Sequence, residues 1–177
     1  MIFTETPIPG AFEVEIEPIR DERGWFGRSF DREEFERRGL EPAVVHANTS
    51  FNERAGTLRG LHYQADPDGE PKLVRCTRGA IFDVIVDLRP DSGAYKRWHG
   101  VELTPDNAKM LYIPVGVAHG FQTLTDGAEV GYLMGHEYVP EAARGVRWDD
   151  PAFAIEWPPA DLRVISEKDS SYPDYAP

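Results

Sequence analysis

The clearest pattern of apolar and polar positions runs from Ala80 to Leu88. From position 82 onward every second residue of this segment is apolar, namely Phe82, Val84, Val86 and Leu88. Asp83 and Asp87 fall on the opposite face of an extended chain. A period of two residues is typical of a strand, so a β-strand is predicted here.

Similar short runs predict five more strands, at Leu73–Thr77, Gly100–Leu103, Met110–Ile113, Gly120–Leu124 and Glu129–Met134. One helix is predicted, with Asp31 as its N-cap, Glu34 completing a capping box and Gly39 ending it. Short strands separated by turn residues, without strand–helix alternation, predict an all-β fold, a sandwich or barrel of the jelly-roll kind. Its open edges must be paired or covered, which a dimer sharing strands would achieve.

Length and charge narrow the possible functions. The chain has 177 residues, the size of one domain, and we expect a single domain over 1–177. A net charge of −12 argues against a nucleic-acid partner, although a local Arg and Lys cluster can still hold a small anion. The chain has one cysteine, Cys76, and we see no signal peptide, so we expect a cytoplasmic protein. No apolar run reaches the roughly 18 residues of a membrane helix, so we expect no membrane contact.

The segment Arg59-Gly60-Leu61-His62-Tyr63-Gln64 carries the first candidate for chemistry. On a regular strand Arg59 and Leu61 would share one face, and His62 would lie on the other with its even-numbered neighbours. A histidine in a barrel mouth can act as a general base near neutral pH. A core histidine with a satisfied hydrogen bond fits the hexapeptide equally well.

A second histidine, His119, lies in Pro114–Phe121, which predicts a turn leading into a strand at a barrel rim. Position 60 is glycine and position 64 is glutamine, so the first motif offers His62 alone as a metal ligand. Two separated histidines without a nearby carboxylate make a poor three-ligand site. We therefore expect no bound metal.

Other polar residues are ambiguous when each is taken alone. Lys72 at a strand start could stabilise an enolate oxygen, but such a lysine is more often solvated. Tyr132 and Tyr138 would point the same way on a regular strand, and either could transfer a proton, stack or simply pack. Ser166-Glu167-Lys168-Asp169 by itself is typical of a solvated charge run.

Together these segments resemble the dTDP-4-dehydrorhamnose 3,5-epimerase family, from about Ile19 to Asp169. The matching segments are Asp21–Phe26, Leu58–Gln64, Lys72–Leu88, Asp106–Leu124, Glu129–Tyr138, Arg144–Pro151 and Ser166–Asp169. The resemblance implies a cupin-type jelly-roll β-barrel, a homodimer, and no metal or other cofactor.

The resemblance also implies a reaction. Its substrate is a 4-keto-6-deoxyhexose on a nucleoside diphosphate, in which the protons on C3 and C5 are acidified by the ketone. A base removes one proton and an acid returns one to the opposite face. The resemblance makes His62 the base, Asp169 its orienting partner, Tyr132 the acid and Lys72 the stabiliser of the enolate oxygen.

Substrate binding is assigned by the same resemblance to Arg23, Phe26, Asn48, Arg59, His119, Tyr138 and Lys168, with Arg23 and Phe26 reaching into the partner's site. Arg28 and Ala143 stand where the family usually has glutamate, which leaves the nucleotide less defined than the reaction. The alternatives are a 3- or 5-monoepimerase of another deoxysugar pathway or another nucleotide, a metal-dependent cupin enzyme, and a non-catalytic sugar-binding cupin.

Overall fold

A computed structural model describes residues 1–176, which form short strands and two short helices. The strands are β1 Ile2–Glu5, β2 Phe12–Glu15, β3 Ile19–Asp21, β4 Gly24–Phe26, β5 His46–Asn52, β6 Thr57–Gln64, β7 Lys72–Arg78, β8 Ile81–Asp87, β9 Trp98–Leu103, β10 Lys109–Ile113, β11 Val117–Thr123, β12 Ala128–Met134, β13 Ala143–Gly145 and β14 Val164–Ile165. The helices are α1 Arg32–Arg37 and α2 Glu167–Ser170.

Two antiparallel sheets make up the body of the molecule. Sheet I has the strand order β1-β2-β10-β7-β12-β5, and sheet II has the order β13-β6-β11-β8-β9, with β14 added parallel to β6. Val74, Leu111 and Val130 of sheet I pack with Ile85 and Phe121 of sheet II in one buried cluster. The predicted all-β jelly-roll architecture is confirmed.

The six predicted strands are all present as β7 to β12, most of them slightly longer than the apolar runs that predicted them. In β8 the predicted alternation holds, since Val84 and Val86 pack in an outer cluster with Leu88. Asp83 and Asp87 are nevertheless fully buried. A buried carboxylate needs partners, and Asp87 has them in Arg89 and the hydroxyl of Ser92.

The face assignment predicted for Arg59 and His62 is wrong, because β6 contains a bulge. Along β11, His119 pairs with His62 and Phe121 pairs with Arg59, so three steps on β6 oppose two steps on β11. The extra residue reverses the alternation and brings Arg59 and His62 to the same cavity, while Leu61 packs on the outer side. Gly60 lies at this point with a φ of 112°, and a Cβ there would come within 2.5 Å of Gly120 Cα.

Helix α1 begins and ends as predicted, but its capping box does not form. The Asp31 carboxylate accepts hydrogen bonds from backbone amides of the first turn, including that of Glu34 at 3.2 Å. The Glu34 side chain instead forms ion pairs with Arg37 and Arg38. Gly39 follows the C-cap with a φ of 69°, the left-handed conformation that glycine adopts most easily.

Within the described part of the chain, neither helix is long and apolar enough to cross a lipid bilayer.

Candidate active site

A cavity of about 330 Å³ is bounded by both sheets. Its lining residues are Asn48, Thr49, Ser50, Arg59, His62, Lys72, His119, Gly120, Phe121, Tyr132, Met134 and Asp169. Arg59, His62 and His119 belong to sheet II, whereas Lys72 and Tyr132 belong to sheet I. Side chains able to transfer protons therefore line the cavity from both sheets.

His62 and Asp169 form a hydrogen-bonded pair, with His62 Nε2 at 2.7 Å from Asp169 Oδ1. Helix α2 presents Asp169, and Ser166 caps that helix by accepting from the Asp169 amide at 3.1 Å. The amide of Gly60, at the bulge, donates to Asp169 Oδ2 at 3.2 Å. The bulge thus turns His62 toward the cavity and also supplies a donor for its partner.

The charge on Asp169 fixes which nitrogen of His62 can act as a base. Burial alone would raise the pKa of Asp169, but the hydrogen bonds from His62 and the Gly60 amide outweigh it and lower that pKa. An ionised carboxylate only accepts hydrogen bonds, so His62 Nε2 must carry the hydrogen between them. His62 Nδ1 is then the nitrogen left to take up a proton.

The interpretation of residues 166–169 as a solvated run is wrong for Asp169, which is buried, and right for Glu167 and Lys168, which are exposed. Helix α2 has only four residues, so its sequence shows no periodic pattern from which a helix packed on β6 could be predicted. Only the family resemblance pointed to Asp169.

Tyr132 enters the cavity from β12 of sheet I, and its hydroxyl lies 3.1 Å from the hydroxyl of Ser50. Burial raises the pKa of Tyr132 to about 12, although the hydrogen bond with Ser50 opposes the shift. The phenol is therefore protonated throughout the neutral range, as a proton donor must be.

Lys72 is buried at the start of β7, so the expectation that a lysine at this position is solvated is wrong. Its ammonium lies 3.3 Å from Glu70 Oε1 and donates to the carbonyl oxygen of His62 at 3.5 Å. Burial lowers the pKa of Lys72, and the Glu70 carboxylate acts against that shift.

His119 lies in the interior of β11, only 5% exposed, rather than at the rim. Its Nε2 lies 2.8 Å from Asp83 Oδ1, and Asp83 Oδ2 is buried with no partner among residues 1–176. The sequence analysis did not find this pairing. The signal for it was Asp83 itself, a carboxylate between apolar residues within β8.

Three of the predicted binding residues, Asn48, Arg59 and His119, line the cavity. The Arg59 guanidinium donates through Nε to Asn52 Oδ1 at 2.8 Å, which fixes the side chain at the cavity wall. Ser50 and Asn52, which hold Tyr132 and Arg59, were not found from the sequence because β5 has no clear alternation.

Four predicted binding residues do not line the cavity of this chain. Strand β12 ends at Met134, so Tyr138 does not continue its face as predicted and is 60% exposed. Lys168 is exposed on α2. Arg23 and Phe26 lie on the β3–β4 hairpin, where the Arg23 side chain is 82% exposed and Phe26 is 74% exposed.

Arg28 and Ala143, the two departures from the family pattern, lie outside the cavity. Arg28 forms an ion pair with Asp31, the N-cap of α1. Ala143 begins β13 and pairs with Gln64 of β6.

No three histidine, cysteine or carboxylate side chains of residues 1–176 come together as a metal site. His62 and His119 are instead each engaged by an aspartate. Metal independence stays a prediction that solution experiments must test.

The fold is a cupin-type jelly roll, and its cavity holds the kinds of group that proton transfer requires. The chain belongs to the dTDP-4-dehydrorhamnose 3,5-epimerase family, whose model matches residues 5–176.

Named relatives span almost the whole chain. The dTDP-4-dehydrorhamnose 3,5-epimerase of Sinorhizobium fredii is 44% identical, over 90% of this chain and 85% of its own. The crystal structure of the enzyme of that name from Bacillus anthracis, with TDP and PPi bound, superposes with a TM-score of 0.93 at 38% identity, covering 98% and 99% of the two chains. ChmJ, a 3′-monoepimerase from Streptomyces bikiniensis in complex with dTDP-quinovose, has a TM-score of 0.89 at 32% identity, covering 96% and 85%.

Proposed function

We propose that this protein inverts C3 and C5 of a dTDP-linked 4-keto-6-deoxyhexose, converting dTDP-4-dehydro-6-deoxyglucose to dTDP-4-dehydrorhamnose. The observation that carries the proposal is the His62–Asp169 pair on one side of a cavity and the protonated Tyr132 on the other. An epimerase needs this arrangement, because the proton must leave one face of the carbon and return to the other.

In the first step His62 Nδ1 takes the proton from the carbon next to the ketone. The electron pair of the broken C–H bond forms the enolate, and the negative charge moves to the ketone oxygen. The Lys72 ammonium stabilises that oxygen electrostatically. Asp169 stabilises the imidazolium that results, because its ionised carboxylate holds the Nε2 hydrogen.

In the second step the Tyr132 hydroxyl gives its proton to the enolate carbon from the other face, and the carbonyl re-forms. Ser50 accepts or donates at the Tyr132 oxygen and holds the hydroxyl in place. Solvent then reprotonates the phenolate and removes the proton from His62, so one turnover exchanges the original hydrogen for one from water.

Arg59 and His119 are the cavity residues suited to the sugar and its phosphates, since an arginine can bind a phosphate through two parallel hydrogen bonds. Asn48 of β5 lines the same cavity. The thymidine nucleotide is supported by the bound TDP of the Bacillus anthracis relative. Tyr138 and Lys168 would join the nucleotide from outside the cavity.

The dimer is part of the proposal. The β3–β4 hairpin carries Arg23 and Phe26 away from this chain's own cavity, with both side chains exposed. A second copy would bring these side chains to the cavity of its neighbour. Strand β5 is an edge strand of sheet I, and Phe51 on it is exposed. A second copy could cover this unpaired edge. We place the enzyme in the cytoplasm.

A monoepimerase acting on one carbon is the second candidate. It is supported by the similarity to the 3′-monoepimerase ChmJ, whose structure covers 96% of this chain. Both candidates use the same acid and base, and they differ in which carbon the bound sugar presents to His62.

Proton NMR of dTDP-4-dehydro-6-deoxyglucose in heavy water tests the function. With enzyme added, we expect the signals of H3 and H5 to disappear as deuterium enters both carbons with inversion. Loss of one signal alone would establish the monoepimerase. Retention of both signals with this substrate and with other nucleotides would refute the epimerase proposal.

We also expect full activity in the presence of a chelator. The two cavity histidines already pair with aspartates, and the described residues assemble no three-ligand site. The assay is the same deuterium uptake, measured after dialysis against chelator. Activity that is lost on chelation and restored by one metal ion would contradict the mechanism.

A further inference from the structure

Lys72 is paired with a second buried residue, Glu70, which precedes β7 and lines no part of the cavity. Both side chains are less than one-tenth exposed, and the Glu70 carboxylate lies 3.3 Å from the Lys72 ammonium. Within residues 1–176, Lys72 is the only ion-pair partner of Glu70. A glutamate is rarely buried unless it is paired, so its position requires an explanation.

We propose that Glu70 is a positioning residue that keeps Lys72 protonated and directed at the cavity. The inference rests on the proposed function, in which Lys72 meets the enolate oxygen. A neutral amine there would lose the charge that stabilises the enolate. Burial disfavours the ammonium, and Glu70 supplies the opposing charge at contact distance.

The carboxylates of Asp83 and Asp169 each have a histidine as partner. On β8, Asp83 is hydrogen-bonded through Oδ1 to His119 of β11. Asp169 of α2 is bonded to His62 and the Gly60 amide. His62 of β6 offers Lys72 its backbone carbonyl oxygen, which is uncharged.

Tyr132 lies on β12, the strand next to β7 in the same sheet, and is a neutral phenol. Arg59 of β6, in the other sheet, is a cation held by Asn52. Asp83 acts on Lys72 only over a longer range, behind the effect of Glu70. Glu70 is thus the carboxylate placed to hold Lys72 charged.

The test compares Glu70→Gln with wild type. The substitution keeps the shape and a hydrogen-bond acceptor but removes the charge. We expect the alkaline limb of the kcat–pH profile to move to lower pH. The value of kcat on the alkaline side should fall by roughly tenfold or more, because a limb moved by one pH unit changes the protonated fraction of Lys72 tenfold. KM should change little, because Glu70 does not line the cavity. Glu70→Asp, which retains the charge, should restore the limb toward its wild-type position.

Glu13→Gln is the matched control, because Glu13 pairs with Lys109 at 2.8 Å and does not line the cavity. It should leave the pH profile of kcat unchanged. An alkaline limb that is unmoved in a folded Glu70→Gln protein would overturn the proposal, as would a shift of equal size in Glu13→Gln.

A substrate-free readout separates this inference from the proposed function. With ¹³Cε-labelled lysine, the Lys72 resonance is assigned by its loss in Lys72→Met, against those of Lys96, Lys109 and Lys168. In wild type it should stay in the ammonium form through neutral pH, and in Glu70→Gln it should titrate at lower pH. A Lys72 that is already neutral in wild type at neutral pH would refute the role of Glu70 even if the glutamine variant fails to fold. Absence of epimerase activity in wild type would instead refute the proposed function.

Discussion

Replacing His62 by alanine is expected to abolish proton exchange at both C3 and C5, with a loss of roughly 10²–10⁴-fold or more, the range for a removed general base. The reason is geometric, since His62 is a cavity side chain held by the buried carboxylate of Asp169, with one nitrogen left to accept a proton. Nucleotide affinity should remain near the wild-type value, because the proposed phosphate contacts come from other residues. Deuterium uptake measures the first quantity and calorimetric titration of dTDP the second.

His46→Ala is the control for this variant. His46 is a histidine of β5 that does not line the cavity and pairs only loosely with Glu137, at 3.6 Å. Its replacement should leave exchange at the wild-type rate. Exchange that persists near the wild-type rate in His62→Ala would mean that another group is the base, and His119 would be the first to examine because it lines the same cavity.

The sequence predicted the strands of the barrel core well, because their apolar residues form short runs bounded by turn residues. Strands β7 to β12 carry that pattern and were all found. The N-terminal strands and the paired strands β13 and β14 were not, since they are two to four residues long and take their conformation from their neighbours.

The cavity was predicted only in part, for two physical reasons. A bulge at Gly60 cannot be read from alternation, and it is this extra residue that brings Arg59 beside His62. Asp83 and Glu70 are single carboxylates within their own segments, and the sequence alone does not show which side chains they pair with. They become meaningful only when the fold places them against His119 and Lys72.

The hairpin residues show a third limit. Arg23 and Phe26 matched the family's pattern, but one chain alone leaves them exposed and away from its cavity. In the dimer that we propose, their contacts are with a second copy, and the fold of one chain does not place them. The contacts to the nucleotide are not defined by one chain either. Arg28, one of the two departures from the family pattern, pairs with Asp31 and does not line the cavity.

Replacing Tyr132 by phenylalanine is expected to separate the two halves of the reaction. The change removes the phenolic proton and keeps the ring, so His62 can still deprotonate the sugar. Deuterium should then continue to enter from the His62 side with retention, while inverted product falls by roughly 10²-fold or more, as for a lost general acid. Proton NMR in heavy water distinguishes deuterated starting sugar from deuterated epimer.

The stability of this variant should change little, since the only interaction removed is the hydrogen bond with Ser50, worth about 1 kcal/mol. Tyr112→Phe is the matched control, because the Tyr112 hydroxyl also makes one hydrogen bond, accepting from the Glu41 amide at 3.0 Å, and lies outside the cavity. It should lose a similar free energy of unfolding and keep full inversion. Tyr138→Phe should also keep inversion, because Tyr138 is exposed beyond the end of β12. If Tyr132→Phe retains full inversion while Tyr138→Phe loses it, the proton donor is Tyr138, and the chain segment after β12 must close over the cavity when the sugar binds.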